Sequence, residues 1–178
     1  MVLTQTEFER RAARIRLLLM DCDGVLTDGR ITLIGEHDEQ KTFHTRDGHG
    51  IVLWHRAGWH SAIISGNKSS AVDRRARDLS ISYVRQGSWN KAETYAEVIA
   101  EAGVEPHEVA CIGDDVTDLP LMLSSGLAIA VADGVEEPHT IAHYITRAPG
   151  GFGAVREAIE LILKAQGRWN DLMRRYLG

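Results

Sequence analysis

The sequence predicts an α/β fold in which a doubly wound parallel sheet is covered by helices on both faces. Short apolar runs alternate with helical patterns along the whole chain, which is typical of parallel strands joined by crossover helices. Most of these runs are continuously apolar, as expected for strands buried on both faces. The 178 residues, 44% of them hydrophobic and 25% charged, suit one domain with its own core. We therefore expect residues 1–178 to form a single domain, without a separate substrate domain.

The order of elements follows from these patterns. Strands are predicted at 15–20, 61–64, 81–84, 109–112, 127–131 and 144–145. Helices are predicted at 50–57, 69–79, 90–102, 117–124, 135–142 and 154–166, with Gly103 and Gly126 at the positions of helix C-caps. Residues 31–45 break the alternation, because two β-like arms around residues 35–38 predict a small hairpin after the first strand. The tail, residues 167–178, is predicted to be a loosely attached helix.

Composition excludes several classes of protein. The 20 Lys and Arg against 25 Asp and Glu give a net charge of −5, which argues against a nucleic-acid partner. Cys22 follows one apolar run, between two aspartates, and Cys111 lies within another; both are interpreted as small buried residues, as suits a reducing cytoplasm. The chain has no apolar run of about 18 residues, and its charged, amphipathic start does not resemble a signal peptide. We expect a cytoplasmic protein with no membrane contact.

Polar residues follow the ends of three predicted strands, where ligand sites lie in doubly wound sheets. They are Asp21 and Asp23 after the first strand, Ser65, Gly66 and Asn67 after the second, and Asp114 and Asp115 after the fourth, with Asp118 three residues further on. Carboxylates clustered beside an apolar strand cost free energy unless a cation or hydrogen bonds stabilise them. Three converging acids would form the oxygen-rich type of site that Mg²⁺ prefers.

Each of these residues also has a simpler explanation. The acid pairs could begin turns or cap helices, and Ser65 could be an N-cap. Lys91, at the start of the helix before the fourth strand, could be a solvated helix residue. The ordered set favours a common site, because acid pair, hydroxyl, lysine and second acid pair each lie at a strand end or helix start.

This set resembles the motifs of the haloacid dehalogenase superfamily of phosphotransferases. The first motif, Asp-x-Asp-Gly-x-x-Thr, matches residues 21–27, the second matches Ser65, the third Lys91, and the fourth, Gly-Asp-Asp-x-x-Asp, residues 113–118. Within the superfamily, the chain is similar to the 3-deoxy-D-manno-octulosonate 8-phosphate phosphatases in seven ordered blocks: DCDGVLTDG, FHTRDGHGI, IISGN, QGSWNK, CIGDDVTDLPLM, IAVADG and PGGFGAVREAIELIL. The resemblance covers residues 15–166.

The resemblance implies a Mg²⁺-dependent phosphomonoester hydrolase of lipopolysaccharide precursor biosynthesis. Asp21 would be the nucleophile and would form an aspartyl-phosphate. Asp23 would protonate the leaving alkoxide and later take a proton from the hydrolytic water. The Ser65 hydroxyl and Lys91 would offset the charge on the transferring oxygens.

The resemblance also implies a metal site. Mg²⁺ would be held by the Asp21 carboxylate, the Asp23 backbone carbonyl and Asp114. Asp115 or Asp118 would orient these ligands without binding the metal directly.

The resemblance specifies the substrate less well than the reaction. Arg46 and Arg75 would bind a sugar carboxylate, since a guanidinium can do so bidentately, although either could be a surface ion-pair residue. Gly66 and Asn67 would also contact the substrate. Asn67 and Phe152 stand where these phosphatases usually have arginine. A nine-carbon, sialic-acid-like sugar phosphate is the alternative substrate, although the Glu and Lys typical of that enzyme are absent.

Two further points remain open in the sequence. The turn 150–153 could bind an anion at a helix N-terminus or could be a tight turn that requires glycines. Trp54, Trp59 and Trp89 are expected in the core or in an interface.

A phospho-receiver or a catalytically idle regulatory domain is the alternative of another class. Receivers carry the phosphoacceptor after the third strand, whereas the acid pair here follows the first. In place of the superfamily's usual cap domain, the sequence has only the hairpin. The resemblance implies a homotetramer in which each hairpin covers a neighbour's site and excludes water.

Overall fold

A six-stranded parallel sheet forms the centre of the computed structural model, which describes residues 2–35 and 38–177. The strands are β1 (Leu17–Met20), β2 (Thr32–Ile34), β3 (Asp38–Gln40), β4 (His60–Ser65), β5 (Tyr83–Gln86), β6 (Val109–Gly113), β7 (Leu127–Ala130) and β8 (Tyr144–Ile145). The sheet order is β5-β4-β1-β6-β7-β8. The chain thus extends from β1 to one edge and then returns to the other side of β1. The predicted doubly wound fold is confirmed.

Helices cover both faces of this sheet. They are α1 (Gln5–Ala12), α2 (Thr45–Arg56), α3 (Ser70–Leu79), α4 (Lys91–Ala102), α5 (Leu119–Ser124), α6 (Glu136–Ile141), α7 (Ala154–Ala165) and α8 (Trp169–Leu177). Leu18 and Met20 of β1 pack into one buried cluster with α1, α2, α3 and α7. Leu17 and Leu19 pack into a second cluster with α4 and α5. Because successive strand residues point to opposite faces, β1 is buried on both sides, as its apolar sequence predicts.

Some predicted boundaries are wrong. Helix α2 begins at Thr45 rather than at residue 50, and the His44 ring caps it by accepting a hydrogen bond from the Arg46 N–H at 3.3 Å. Gly48 and Gly50 weaken the helical pattern in this first part, which explains the late predicted start. Strand β5 lies two residues later than predicted.

The two glycines expected at helix ends behave differently. Gly103 is the C-cap of α4, with a left-handed φ of 65°, as predicted. Gly126 does not cap α5, whose C-cap is Ser125 in an extended conformation. A Cβ at Gly126 would lie 2.4 Å from the His107 carbonyl oxygen, so glycine is needed there for a close backbone approach.

The predicted hairpin is present as the antiparallel pair β2 and β3. Residues 36 and 37 of its predicted turn lie outside the described residues, and Thr45, its predicted last residue, belongs to α2. Ile31, Leu33 and Ile34 are exposed on the hairpin. The hairpin therefore presents an apolar surface to its surroundings.

The remaining predictions concern the cysteines and the tail. Cys22 and Cys111 are free, buried, and located in the two different core clusters. The tail forms α8, in which Trp169, Leu172 and Met173 pack partly against the core. None of the helices in the described part of the chain is long and apolar enough to cross a membrane.

Candidate active site

A tight turn directly after β1 places the first two acids. The Asp21 N–H donates to the Ile112 carbonyl of β6 at 3.1 Å, which continues the sheet by one residue. The Cys22 carbonyl then accepts hydrogen bonds from the N–H groups of Leu26 and Thr27 at 2.9 and 3.1 Å. Gly24 allows this turn through a φ of +89°. Asp21 and Asp23 consequently face the carboxyl ends of the strands.

A cavity of about 550 Å³ lies at these strand ends. Its lining includes eight residues that the sequence predicted for the site: Asp21, Asp23, Ser65, Gly66, Asn67, Lys91, Asp114 and Asp115. Asp118 is buried next to them, at 1% exposure. The structure thus brings the four motifs together at the switch point of the sheet.

Lys91 joins two of the acids. This residue is the first of α4, where Asn90 caps the helix. Its ammonium donates to Asp21 Oδ1 at 2.8 Å and to Asp118 Oδ1 at 2.7 Å. The other Asp118 oxygen accepts the Asp114 N–H at 3.1 Å. Asp118 therefore holds both the lysine and the backbone of Asp114 in place.

The cluster carries more negative charge than Lys91 neutralises. Asp21, Asp114 and Asp118 each offer one oxygen, and these atoms all lie within 4.8 Å of one another. Burial, followed by the Asp118 charge, raises the pKa of Asp21 to about 7. Burial, followed by the charges of Asp21 and Asp118, raises the pKa of Asp114 to about 8. Burial alone would lower the pKa of Lys91, but the two carboxylates beside it raise it above its usual value.

The site has the features of a cation cradle. Asp114 Oδ1 is buried and has no hydrogen-bond partner among residues 2–35 and 38–177. A Cβ at Gly24 would lie 2.1 Å from Asp114 Oδ2, so only glycine leaves this space open. Buried carboxylate oxygens, one of them without a hydrogen-bond donor among the described residues, are suitable ligands for a small hard cation. These residues therefore fit Mg²⁺.

Asp23 has a different environment from Asp21. Its two oxygens accept hydrogen bonds from Lys41 Nζ at 2.5 Å and from Asn67 Nδ2 at 3.0 Å. Burial alone would lower the pKa of Lys41, but its hydrogen bonds to Asp23 and Glu39 raise it above the usual value. Lys41 was not predicted as a site residue, because a lysine beside a polar hairpin strand carries no sequence signal of its own.

Ser65 and Asp115 have local roles that the sequence left open. Ser65 is buried at the end of β4, and its Oγ accepts the Asn67 N–H at 3.3 Å, while its hydroxyl lines the cavity. Asp115 is exposed and accepts the Val116 N–H at 2.6 Å, as the N-cap of a 3-10 turn, residues 116–118. Of the two acids predicted to orient the metal ligands, Asp118 has contacts suited to that role.

Arg46 and Arg75 lie outside the cavity of their own chain. Neither lines it. Arg46 is exposed on α2, whereas Arg75 donates to the His44 carbonyl at 3.5 Å and lies over the Phe43 ring at 5.7 Å. Their role in substrate binding stays a prediction.

The turn 150–153 is bound by the chain's own groups. The Asp47 carboxylate, on α2, accepts the N–H groups of Gly153 at 3.1 Å and Arg156 at 2.7 Å, at the start of α7. The Gly151 N–H donates to the Val25 carbonyl at 2.9 Å. A Cβ at Gly150 would overlap the Gly24 carbonyl oxygen, at 1.6 Å. The Gly150 N–H donates to the Asp133 carboxylate at 2.8 Å. The turn therefore supports the Asp21–Asp23 loop, and the anion at the start of α7 is Asp47.

The tryptophans are divided between the interior and the surface. Trp54 is fully buried and Trp59 packs partly against the core, as expected. Trp89 is 97% exposed and lines the cavity, so it does not lie in the core, and its position in an interface stays a prediction.

Comparisons with known proteins agree with this geometry. The haloacid dehalogenase-like hydrolase family matches residues 76–159. The chain is 43% identical to the 3-deoxy-D-manno-octulosonate 8-phosphate phosphatase of Yersinia pestis over 89% of this chain and 85% of that protein. The corresponding Escherichia coli K12 protein is 40% identical over 90% and 86%.

Solved structures share the whole fold. A probable phosphatase from Pseudomonas syringae has a TM-score of 0.94 at 42% identity, covering 97% of this chain and 98% of that one. The Moraxella catarrhalis 3-deoxy-D-manno-octulosonate 8-phosphate phosphatase also has a TM-score of 0.94, at 39% identity, with 97% and 99% covered. Its crystal structure contains a magnesium ion, a phosphate ion and a KDO molecule. The present chain belongs to the haloacid dehalogenase-like hydrolases, in the family of the 3-deoxy-D-manno-octulosonate 8-phosphate phosphatases.

Proposed function

We propose that this protein is a Mg²⁺-dependent phosphatase that releases phosphate from 3-deoxy-D-manno-octulosonate 8-phosphate, in lipopolysaccharide precursor biosynthesis. The observation that carries the proposal is the buried cluster of Asp21, Asp114, Asp118 and Lys91 at the base of the cavity, with Asp23 at its side. Relatives at about 40% identity that carry this activity in their names support the substrate. Membership in a hydrolase family supports turnover rather than a receiver or regulatory role.

In the proposed reaction, a carboxylate oxygen of Asp21 bonds to phosphorus as the bond from phosphorus to the sugar oxygen breaks. Asp23 gives its proton to that sugar oxygen, and the free alcohol leaves. Water then bonds to phosphorus while the Asp21–phosphorus bond breaks. The Asp23 carboxylate takes the proton of this water, and inorganic phosphate is released.

The residues around the nucleophile control charge. Lys91 lies 2.8 Å from Asp21 Oδ1, and it stabilises negative charge near the transferring group. The Ser65 hydroxyl, at the end of β4, is placed to donate to a phosphoryl oxygen. The Asp21 and Asp114 carboxylates and the Asp23 carbonyl would hold Mg²⁺, which would supply positive charge that offsets the repulsion between two anions.

We also propose that the protein acts as a cytoplasmic homotetramer in which each hairpin covers a neighbour's cavity. The exposed apolar side chains Ile31, Leu33 and Ile34 support a buried contact for the hairpin in an assembly. Arg46 and Arg75 do not reach the cavity of their own chain. If either binds the sugar carboxylate, it does so across a subunit contact. Within the described residues, the segment between β1 and α2 holds only this hairpin, which supports a catalytic domain without a cap.

The test is phosphate release from a panel of sugar phosphates. We expect 3-deoxy-D-manno-octulosonate 8-phosphate to have the highest kcat/KM, with activity lost in EDTA and restored by Mg²⁺. A higher kcat/KM for a nine-carbon ulosonate 9-phosphate would show that the alternative substrate is the correct one. No release from any phosphomonoester would refute the proposed function.

A further inference from the structure

We propose that Lys41 is a positioning residue that holds the proton-transferring carboxyl of Asp23 from the hairpin side, opposite Asn67. This inference rests on the proposed function, because it assigns Lys41 a task in the same reaction. Lys41 follows β3 directly and thus links the hairpin to the loop after β1.

The Lys41 side chain is buried. It is only 1% exposed, although a lysine at the base of an exposed hairpin has a flexible stem that could reach water. Removing an ammonium group from water is costly unless charged partners compensate. Those partners are Asp23 Oδ1 at 2.5 Å and Glu39 Oε1 at 3.1 Å. The ion pairs therefore determine where the ammonium lies.

Both carboxyl oxygens of Asp23 accept a hydrogen bond. Lys41 donates to one oxygen, and Asn67 Nδ2 donates to the other at 3.0 Å. The two donors come from separate elements, the hairpin and the loop after β4. Two donors on opposite oxygens fix the plane of a carboxyl group, which a single hydrogen bond leaves free to rotate.

Lys41 and the proposed nucleophile, Asp21, have separate hydrogen-bond partners. The hydrogen bonds of Lys91 go to Asp21 and Asp118, whereas those of Lys41 go to Asp23 and Glu39. Lys41 should therefore affect proton transfer and leave the attack by Asp21 intact. A small misplacement of a catalytic group can cost up to about 100-fold in rate.

This separation makes a prediction about leaving groups. A sugar alkoxide is a poor leaving group and needs the proton of Asp23, whereas p-nitrophenolate leaves without one. Loss of Lys41 should thus slow the first step for a sugar phosphate and spare it for p-nitrophenyl phosphate. With the aryl substrate, slow removal of phosphate from Asp21 should then produce a burst of p-nitrophenolate.

The experiment compares Lys41→Met, Lys41→Arg and Asn67→Ala with the natural enzyme, using the full chain with Mg²⁺. For Lys41→Met we expect kcat on 3-deoxy-D-manno-octulosonate 8-phosphate to fall about 10- to 100-fold, with KM changed less than about threefold. The burst rate with p-nitrophenyl phosphate should stay within about threefold. Lys41→Arg keeps the charge and should recover most of kcat. Lys164→Met is the matched control, because Lys164 also forms an ion pair but lies exposed on α7.

Asn67→Ala provides a second, independent route, since Asn67 is exposed and its loss should not impair folding. It should reduce kcat on the sugar phosphate more than the burst rate with the aryl phosphate. Equal loss of both rates in Lys41→Met and Asn67→Ala would overturn the proposal, as would unchanged kcat on the sugar phosphate. If the natural enzyme does not hydrolyse 3-deoxy-D-manno-octulosonate 8-phosphate, the proposed function is wrong. The same variants are then compared on the alkyl phosphate that it does hydrolyse.

Discussion

The carboxylate cluster at the end of β1 and the hairpin beside it are built in opposite ways. Asp21, Asp118 and Lys91 are at most 7% exposed and are joined by hydrogen bonds of 2.7 to 2.8 Å. On the hairpin, Leu33 is 76% exposed and Ile34 is 52% exposed. The side chains of the cluster find their hydrogen-bond partners within one chain, whereas the hairpin leaves apolar side chains exposed.

The difference separates two tasks. Phosphoryl transfer needs preorganised charges, and the core of the sheet supplies these through strands buried on both faces. Under the proposed assembly, exposed elements such as the hairpin would select the substrate and exclude water once a neighbouring subunit packs against them. Changes in the two regions should therefore have different effects on different substrates.

Metal removal should have the largest effect on activity, because it acts directly on the carboxylate cluster at the end of β1. We expect EDTA to lower kcat at least about 10³-fold for both sugar and aryl phosphates, with recovery on addition of Mg²⁺. Loss of activity for the sugar phosphate alone would contradict a shared phosphoryl-transfer centre.

The same cluster predicts a pH dependence. Without metal, folded Asp21 and Asp114 keep protons up to pH values of about 7 and 8, whereas unfolded carboxyls lose them near about pH 4. The folded state then binds more protons, so metal-free stability should fall as the pH rises from about 4 to about 8. Mg²⁺ binds the ionised carboxylates, and its affinity should rise over the upper part of this range.

Thermal unfolding with and without Mg²⁺ measures this effect. The increase in Tm on adding Mg²⁺ should be larger at pH 8 than at pH 6. Asp78→Asn, an exposed change on α3, should behave like the natural protein, whereas Asp114→Asn should lose the pH-dependent difference. An increase in Tm that is independent of pH would contradict the charge imbalance in the cluster.

A charge on the hairpin tests the second region. If the proposed tetramer forms, Leu33→Asp should dissociate it and lower kcat/KM for the sugar phosphate about 10- to 100-fold, because an aspartate cannot be buried in an apolar contact. Hydrolysis of p-nitrophenyl phosphate should change less than about threefold. Light scattering and kinetics on the same sample provide both readings. Val2→Asp, at another exposed apolar position, is the control. A natural enzyme that is monomeric and fully active would refute the assembly.

Asp47→Asn should have the smallest effect on activity, because it acts through the supporting turn. The Asp47 carboxylate accepts the N–H groups of Gly153 and Arg156, and an amide accepts them more weakly. We expect a loss of about 1–2 kcal/mol in unfolding free energy, a Tm lower by about 3–6 °C, and kcat reduced a few-fold. An unchanged Tm would show that the turn does not depend on this anion.

The buried region was the more predictable from sequence. The run 15–20, apolar apart from Arg16, predicts β1, and the acids that follow it mark the site, because parallel strands bring their carboxyl ends together. Lys91 and Asp118 were found through motif spacing. The start of α2 was predicted too late, because Gly48 and Gly50 lower the helix propensity of this segment whatever their role in packing.

Long-range contacts between polar residues were not predictable. Lys41 reaches Asp23, 18 positions away, through hairpin geometry that no periodicity reports. Asp47 reaches Arg156 across 109 positions, so the turn 150–153 was open to an external anion until the fold supplied an internal one. The same holds for Arg46 and Arg75, whose distance from the cavity depends on the path of α2 and α3.

The most direct test of the account is to identify the residue that carries the phosphoryl group during turnover. Rapid acid quench of the enzyme with its sugar phosphate, followed by peptide mass spectrometry, should place the phosphoryl group on Asp21. The Asp21→Asn variant should be inactive and unlabelled, while Asp78→Asn should be labelled normally. A phosphoryl group on another residue, or full turnover by Asp21→Asn, would contradict the account.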